Sequence, residues 1–531
     1  MKEITTDREA LLKIQKGVNK LCDTVAITMG PAGSQVILER LAGGQHSTRD
    51  GVTVSREIVL EDPLENIGAM VIKEAANKTA TSVGDGTSAS SVLAQAIFNG
   101  GLESVLGGAN RIDVKRGIDL ATKMVVEEIK KMAKPVEKDD LYRIAKISSN
   151  GDEEIARLIN ESVGVVGKDG IVTVEESKGV DSYTKKVEGL RFDRGYLSPY
   201  FVTNQEKMEC EFRNCEVLLY DGKIESIKEL LPLLDKIRKR DQTAGLQYPL
   251  LIIAEDIVGD ALGTLALNHI QQRMSLCAVQ SPDHGDSRKE TLRDIAAVTG
   301  ATIIAKETGV SLKSATPDVL GQAEKIRVTQ WNTTIMEGKG NPDEIFGRIS
   351  TIKEQMNDAN DYALVKLKER YARLTSGMVS IHVGGISDIE IKDKKDRIDD
   401  ALCATKAALE EGVIIGGGMA YLRAYQKLES VSLEDPVQDV GRQILLKSLV
   451  SPFKNIVENA TGNDSKKILD NAMGYMDENF GYNAKELRFE NLIEAGVIDP
   501  AKVTRLALEN AASVAGMLLS TKAVISNIKP K

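Results

Sequence analysis

The sequence predicts a multidomain protein of the α plus α/β class, with a mainly helical domain assembled from both ends of the chain and an α/β domain inserted between them. Three observations predict it. Apolar residues recur at helical spacing across Ala10–Val25 and again from Asp393 to Leu446. Between about Glu188 and Arg373, short apolar runs alternate with helix-like segments. The chain has 531 residues, and at roughly 150 residues per domain that length holds about three or four separate cores.

Taken in order, Ala10–Val25, Asn66–Ser82 and Ser90–Gly100 read as helices, the last with Thr87 or Ser88 as its N-cap. After Lys134-Pro135, the segments Asp139–Ile147 and Asp152–Val165 read as short helices. KDGIVTVEES then reads as a strand after a turn at Asp169-Gly170. In the insert, PLLIIAED, LCAVQSP and ATIIAKE read as strands, separated by the helix-like DALGTLALNHIQQ and SRKETLRDIAAVTG. Asp358–Leu374 reads as a charged helix and GMVSIHVGG as a strand. A chain that is helical, mixed, α/β, mixed and helical again implies nested domains. Their paired crossings near Lys134-Pro135, Gly189, Gly377 and Gly412 are candidate hinges.

The formal charge of -9 and the lack of a basic block interleaved with aromatics argue against nucleic acid as a partner. No run approaches the roughly 20 apolar residues of a membrane span, so no membrane partner is expected and a cytoplasmic location is. Five scattered cysteines without a CxxC fit a reducing compartment. Four dispersed histidines make a zinc site or a His-based triad a poor expectation.

Chemistry concentrates in three segments: TMGPAG (Thr28–Gly33), VGDGTSAS (Val83–Ser90) and RIDDALCATKAALEEGVIIGGG (Arg397–Gly418). Glycine turns admit phosphate close to backbone N–H groups, and a helix that follows adds the positive end of its dipole. A carboxylate beside such a turn can hold Mg²⁺, as Asp85 could. Another can orient an attacking water, as Asp50 or Asp400 could. Read singly, Asp400 is a solvated helix position; for the triple glycine at 416–418 a plain helix stop is the lesser alternative.

The chain resembles a group I chaperonin, the bacterial and organellar family of ring-forming ATP-driven folding machines. The resemblance rests on DGVTVSREI, VGDGTS, GIVTVEES, EGLRFDRGYLSPYF, PLLIIAED, DDALCATKAALEEGVIIGGG, GYNA and VIDPAKVTRLALENAASVAG, in the family's order. It implies an equatorial ATP-binding domain at 1–131 and 411–531, an intermediate hinge domain at 132–187 and 379–410, and an apical domain at 188–378. It further implies that ATP is bound by Thr28, Met29, Gly30, Pro31, Arg49, Asp85, Gly86, Thr87, Ser88, Gly417, Asn483 and Asp499. Asp85 would meet Mg²⁺, and Asp400, helped by Asp50, would activate the hydrolytic water; K⁺ is a further ion the resemblance allows.

The implied partners are non-native polypeptides, other copies of the chain in a ring of seven, and a co-chaperonin lid. The polypeptide-binding positions would be Tyr196, Tyr200, Phe201, Leu231, Leu234, Leu262, Ala266 and Leu267. Periodicity alone reads these as core, whereas the resemblance reads them as an exposed apolar groove. The phosphate loops by themselves would also suit a metabolic phosphotransferase. Three departures stand out: Ala89 replaces a hydroxyl, 237–248 lengthens the loop before PLLIIAED, and Asn463 stands near the place of an expected acid.

Overall fold

The computed structural model describes residues 2–39, 45–149, 151–167, 170–177, 179–187, 189–205, 207–305, 311–357, 361–375, 378–462, 465–475 and 477–527. Asp169, Gly377 and Asn463, each singled out above, lie outside them. The chain divides into two compact units. The first is Met1–Glu161, Val174–Tyr183 and His382–Lys531; the second is Ser162–Thr173 and Thr184–Ile381. The expected nesting is therefore present, and most of the segments assigned to a hinge domain, 132–161 and 382–410, fall within the first unit.

The first unit is built on six helices whose apolar faces share one core: Asp7–Ala26, Pro63–Val83, Thr87–Leu106, Arg111–Met132, Pro436–Ser448 and Ala501–Ser520. Local chemistry sets their ends. Asp62 caps the second by accepting from the Leu64 and Glu65 amides, with Pro63 in the first turn, and Gly84 closes it in the left-handed conformation at φ 71°. Asp435 and Pro436 repeat this start for Pro436–Ser448. Two helix crossings are drawn tight by glycine. A Cβ at Gly117 would overlap the Gln438 carbonyl, and one at Gly441 the Val114 carbonyl. The same holds for Gly17 against Glu65 and Gly68 against Ile14. The chain's two ends are joined by antiparallel strands, Lys2–Thr6 with Ala523–Asn527.

The long helix Asp388–Glu411 is fixed to this unit along its C-terminal half. Ala404 and Ala408 pack with Ile144, Val413 and Ile498, and Ala407 packs with Val83 and Val503. The Arg505 guanidinium forks onto Glu411 at 2.6 and 3.0 Å. These contacts place Asp400, one turn before Ala404, over the turn that follows Val83.

The second unit carries a seven-stranded mixed sheet. Its central strand, Cys210–Ile224, is antiparallel to Gly321–Val328 along its first half and parallel to Leu250–Ile257 and Ile304–Ala305 along its second. The helices Ile227–Ala244, Gly259–Ile270 and Gly285–Thr299 connect the parallel strands. The strand expected from ATIIAKE is reduced to Ile304–Ala305, with residues 306–307 outside those described. The expected long loop at 237–248 is mostly helix, because Ile237 faces the core and the Arg240 guanidinium bonds Asp241 and the buried Glu216. What reads as an added run of charge is thus partly an internal ion pair. Its helical stretch ends at Gly245, again left-handed at φ 65°.

Three helices of this unit are tied together by charge. Asp294 and Glu290 on Gly285–Thr299 accept from Arg348 on Pro342–Asn357, and Asp294 accepts from Arg370 on Asp361–Thr375 at 2.8 and 3.0 Å. Asp294 and Arg370 are both buried. Removing one partner leaves a buried charge without its main counter-charge. Asp294→Ala should therefore destabilise the second unit by about 3 kcal/mol, read as an earlier midpoint in urea unfolding followed by the fluorescence of Trp331.

Candidate functional site

The Thr87–Leu106 helix starts without a side-chain cap, in contrast to Pro63–Val83 before it and Arg111–Met132 after it. Its N-cap is Gly86, left-handed at φ 80°, and not Thr87 or Ser88, because the chain must reverse between two left-handed glycines before the helix can begin. Its first amides are left without a side-chain acceptor and face the turn that carries Asp85. Gly84 is required there for a second reason. A Cβ at this position would overlap the side chain of Cys403, on the Asp388–Glu411 helix. Asp85 and Asp400 are brought near one another through that contact.

The structure gathers four carboxylates, Asp50 and Asp85 from one end of the chain and Asp400 and Asp499 from the other. Asp50 caps the short helix Gly51–Glu57: its Oδ1 accepts from the Val52 amide at 3.1 Å, and its Oδ2 from the Thr53 amide at 2.9 Å and hydroxyl at 2.6 Å. Gly51 lies against the Ser88 side chain, so this helix abuts the start of Thr87–Leu106. Asp85 accepts from the Gly86 amide and, at 3.2 Å, from the Ser148 hydroxyl. Burial raises its pKa, and the charge of Asp50 adds to that rise. Asp400 is pushed well above the usual carboxylate range by burial, then by Asp50 and Asp85. Asp499 is raised to about 7 by burial and then by Asp85, against the opposing effect of a bond from the Gly417 amide.

Gly417 and Asp499 meet because the strand Val413–Ile415 pairs with Ile498–Pro500, placing Ile414 opposite Asp499. Gly417 and Gly418 then turn in the left-handed region, at φ 65° and 78°, to start the helix Met419–Leu428. The triple glycine is more than a helix stop. It brings a backbone amide to a half-buried acid.

The loop Thr28–Gly33 sits at the same end of the unit. The Thr28 and Ser88 hydroxyls are 3.4 Å apart, Met29 is buried, and Gly30 and Pro31 are exposed. Gly30 is left-handed at φ 79° and lies over Ile456. Asn459 secures the loop by donating to the Ala26 carbonyl at 2.8 Å and the Met29 carbonyl at 2.9 Å. Two other expected residues are less engaged with this group. Arg49 is exposed. Asn483 uses its amide inside its own hairpin, donating to Glu490 at 2.7 Å and accepting from the Lys485 and Glu486 amides.

Sequence reasoning missed Ser148, Asn459 and Cys403 in this region. It also missed the pair between Arg397 and Asp152, 3.0 Å apart, which holds the helix one turn before Asp400. A lone serine or asparagine in a helix carries no pattern that marks such a role. Among the described residues, no group of three or more His, Cys, Asp or Glu side chains is set as a metal-binding cluster. The charge of Asp50 reaches Asp85 and Asp400, and that of Asp85 reaches Asp400 and Asp499, without a closed chelate among the described residues.

In the second unit, the eight apolar positions divide. Tyr200, Leu231 and Leu267 are exposed, at 67%, 48% and 55%. Tyr196 and Leu262 are partly buried against the core. Phe201, Leu234 and Ala266 are core residues, at 0%, 7% and 6% exposure, and so do not offer the surface expected of them. The reason is geometric. On Ile227–Ala244 the inward stripe runs through Leu230, Leu233, Leu234 and Ile237, leaving Leu231 outside; on Gly259–Ile270 it runs through Ala261, Leu265 and Ala266, leaving Leu267 outside.

A nested chain with glycine turns and gathered carboxylates at one end of a helical unit, and a mixed-sheet insert with exposed apolar side chains on its helices, defines a protein class. The chain belongs to the TCP-1/cpn60 chaperonin family, whose model it matches over residues 21–529. Members of that family are ATP-dependent protein-folding chaperones. In fold the chain is similar to the chaperonin gp146 from the bacteriophage EL 2 (Pseudomonas aeruginosa), crystallised in presence of ATP-BeFx. The TM-score is 0.70 against crystal form II and 0.64 against crystal form I, at 22% identity with 99% of each chain covered. Among the described residues no helix is long and apolar enough to cross a membrane.

The raised acids set a pH dependence for the ligand-free protein. A carboxyl whose folded pKa exceeds its unfolded value binds its proton more tightly when folded, so stability falls as pH rises from about 4 through the folded value near 7 for Asp499. Asp499→Asn removes that contribution. In melting experiments from pH 5 to pH 8 without nucleotide, the variant should gain on the wild type steadily as pH rises; a constant difference would show that Asp499 is not the responsible group.

Proposed function

We propose that the chain is a ring-forming chaperonin subunit of the group I type, which captures non-native polypeptides on its second unit and uses ATP hydrolysis in its first unit as a timer. The observation that carries this reading is the convergence of Asp50, Asp85, Asp400 and Asp499 on the uncapped start of Thr87–Leu106. The three domains given above, a ring of seven copies and a lid subunit are parts of the same reading. Five free cysteines favour the cytoplasm.

The first amides of Thr87–Leu106, with the hydroxyls of Thr87 and Ser88, bind phosphate oxygens, and the loop Thr28–Pro31 with Arg49 closes over them. Gly417, Asn483 and Asp499 hold the nucleoside. Asn483 reaches it by giving up its hairpin bond to Glu490. The Asp85 carboxylate, oriented by the Ser148 hydroxyl and exposed to the negative charge of Asp50, fits Mg²⁺ carried in with the nucleotide. That ion supplies neutralisation of phosphate charge. K⁺ is proposed as a further ion at the same phosphates.

Asp50 and Asp400 divide the remaining work. Both oxygens of Asp50 are committed to donors on its own helix, which makes it a fixed charge suited to orienting water. Asp400, its proton affinity raised by burial and by its acidic neighbours, is the general base. A water oriented by Asp50 attacks the γ-phosphorus, its proton passes to Asp400, and ADP departs as the leaving group.

Capture uses exposed apolar area without a demand for particular hydrogen bonds, which Tyr200, Leu231 and Leu267 provide, flanked by the partly buried Tyr196 and Leu262. Core placement makes Phe201, Leu234 and Ala266 supports of this surface.

Asp400→Ala should bind ATP as the wild type does while steady-state turnover falls about 100-fold. Unchanged turnover would remove Asp400 from the chemistry. Leu231→Ser with Leu267→Ser should weaken capture of a chemically unfolded protein, measured as suppression of its aggregation, with ATPase activity retained; full suppression by the double variant would place the capture surface elsewhere.

A further inference from the structure

The corner at 148–152 touches both sides of the carboxylate group. Ser148 ends the helix Lys138–Ser148 and points its hydroxyl to Asp85 Oδ2 at 3.2 Å. The next residue, Ser149, is buried and donates to the carbonyls of Lys146 and Asp152, at 3.3 and 3.2 Å, which pins the corner from within. Asp152 accepts from the Glu154 and Ile155 amides and from Arg397, one turn before Asp400. Two adjacent serines therefore have opposite tasks: one closes the corner, the other reaches out of it.

The other Asp85 oxygen takes the Gly86 amide. With one donor on each oxygen, the carboxylate plane is set from two directions. Among the described residues, the Ser148 bond is the one that comes from outside the glycine turn. Free rotation of an acid that binds a divalent ion costs affinity, and a hydroxyl donor to a ligating carboxylate reduces that cost while leaving a second lone pair open for the ion.

We propose that Ser148 is a positioning residue for Asp85, orienting its carboxylate for the divalent cation that accompanies the nucleotide. The proposal rests on the reading of Asp85 as the cation's protein ligand. It adds a residue on a different segment from the glycine turn, so loading of the site and placement of the 148–152 corner become linked through one hydrogen bond.

The test is binding of Mn²⁺, as a paramagnetic probe, to the full chain with ADP, followed by the free-ion resonance signal. Ser148→Ala should weaken Mn²⁺ binding about 10-fold, while ADP binding in excess chelator stays at the wild-type value. Ser148→Thr, which keeps the hydroxyl, should restore Mn²⁺ affinity, and Ser148→Cys, nearly isosteric, serves if the alanine variant does not fold. Wild-type Mn²⁺ affinity in Ser148→Ala overturns the proposal, as does equal loss of ADP binding in chelator, which marks a general structural defect. Asp85→Asn separates the two levels. If it leaves Mn²⁺ affinity unchanged, the reading of Asp85 itself fails; if it abolishes binding while Ser148→Ala does not weaken it, the serine's role alone fails.

Discussion

Repulsion among like charges is the constraint around which the first unit is organised. Burial raises the proton affinity of Asp85, Asp400 and Asp499, and charge adds to it: Asp50 acts on Asp85 and Asp400, and Asp85 on Asp400 and Asp499. A fold does not gather such groups for its own stability, since each ionised acid opposes the others and loses hydration. The surrounding framework has to hold them in place. Helix Asp388–Glu411 is fastened by its alanine contacts and by Arg505, and the Asp499 strand by its pairing with Val413–Ile415. Stability given up at one end of the unit is recovered in its apolar core.

Much of this was legible in the sequence because glycine and aspartate mark their own positions. Gly84, Gly86 and Gly417 are all left-handed in the structure, and the flanking helices follow the apolar spacing of the chain. Less legible was anything set by a single polar contact. Asn459 and Ser148 reach the site through one side chain each, and their neighbours in sequence give no hint of it. Helix caps were misjudged for a similar reason. Thr87 and Ser88 are good caps by residue type, but the left-handed turn at Gly86 takes that place.

The inserted unit teaches a different lesson. Apolar residues on Ile227–Ala244 and Gly259–Ile270 are close in sequence, yet Leu231 is exposed while Leu234, three positions on, is buried, and the adjacent Ala266 and Leu267 differ in the same way. A helix packed on a sheet exposes only a narrow apolar fringe. Which residues form that fringe depends on the roll of the helix about its axis, a quantity that spacing leaves undetermined. Similarly, the charges at 238–241 read as a surface feature until the sheet brings Glu216 beneath Arg240.

The glycine crossings of the first unit have a mechanical consequence. Where Gly117 meets Gln438 and Gly441 meets Val114, main chain rests directly on main chain, with no intervening side-chain layer to slide or change rotamer. Such joints are stiff. Any displacement within the first unit then falls to contacts made of longer, adjustable side chains, and the helical block serves as the anvil against which they give.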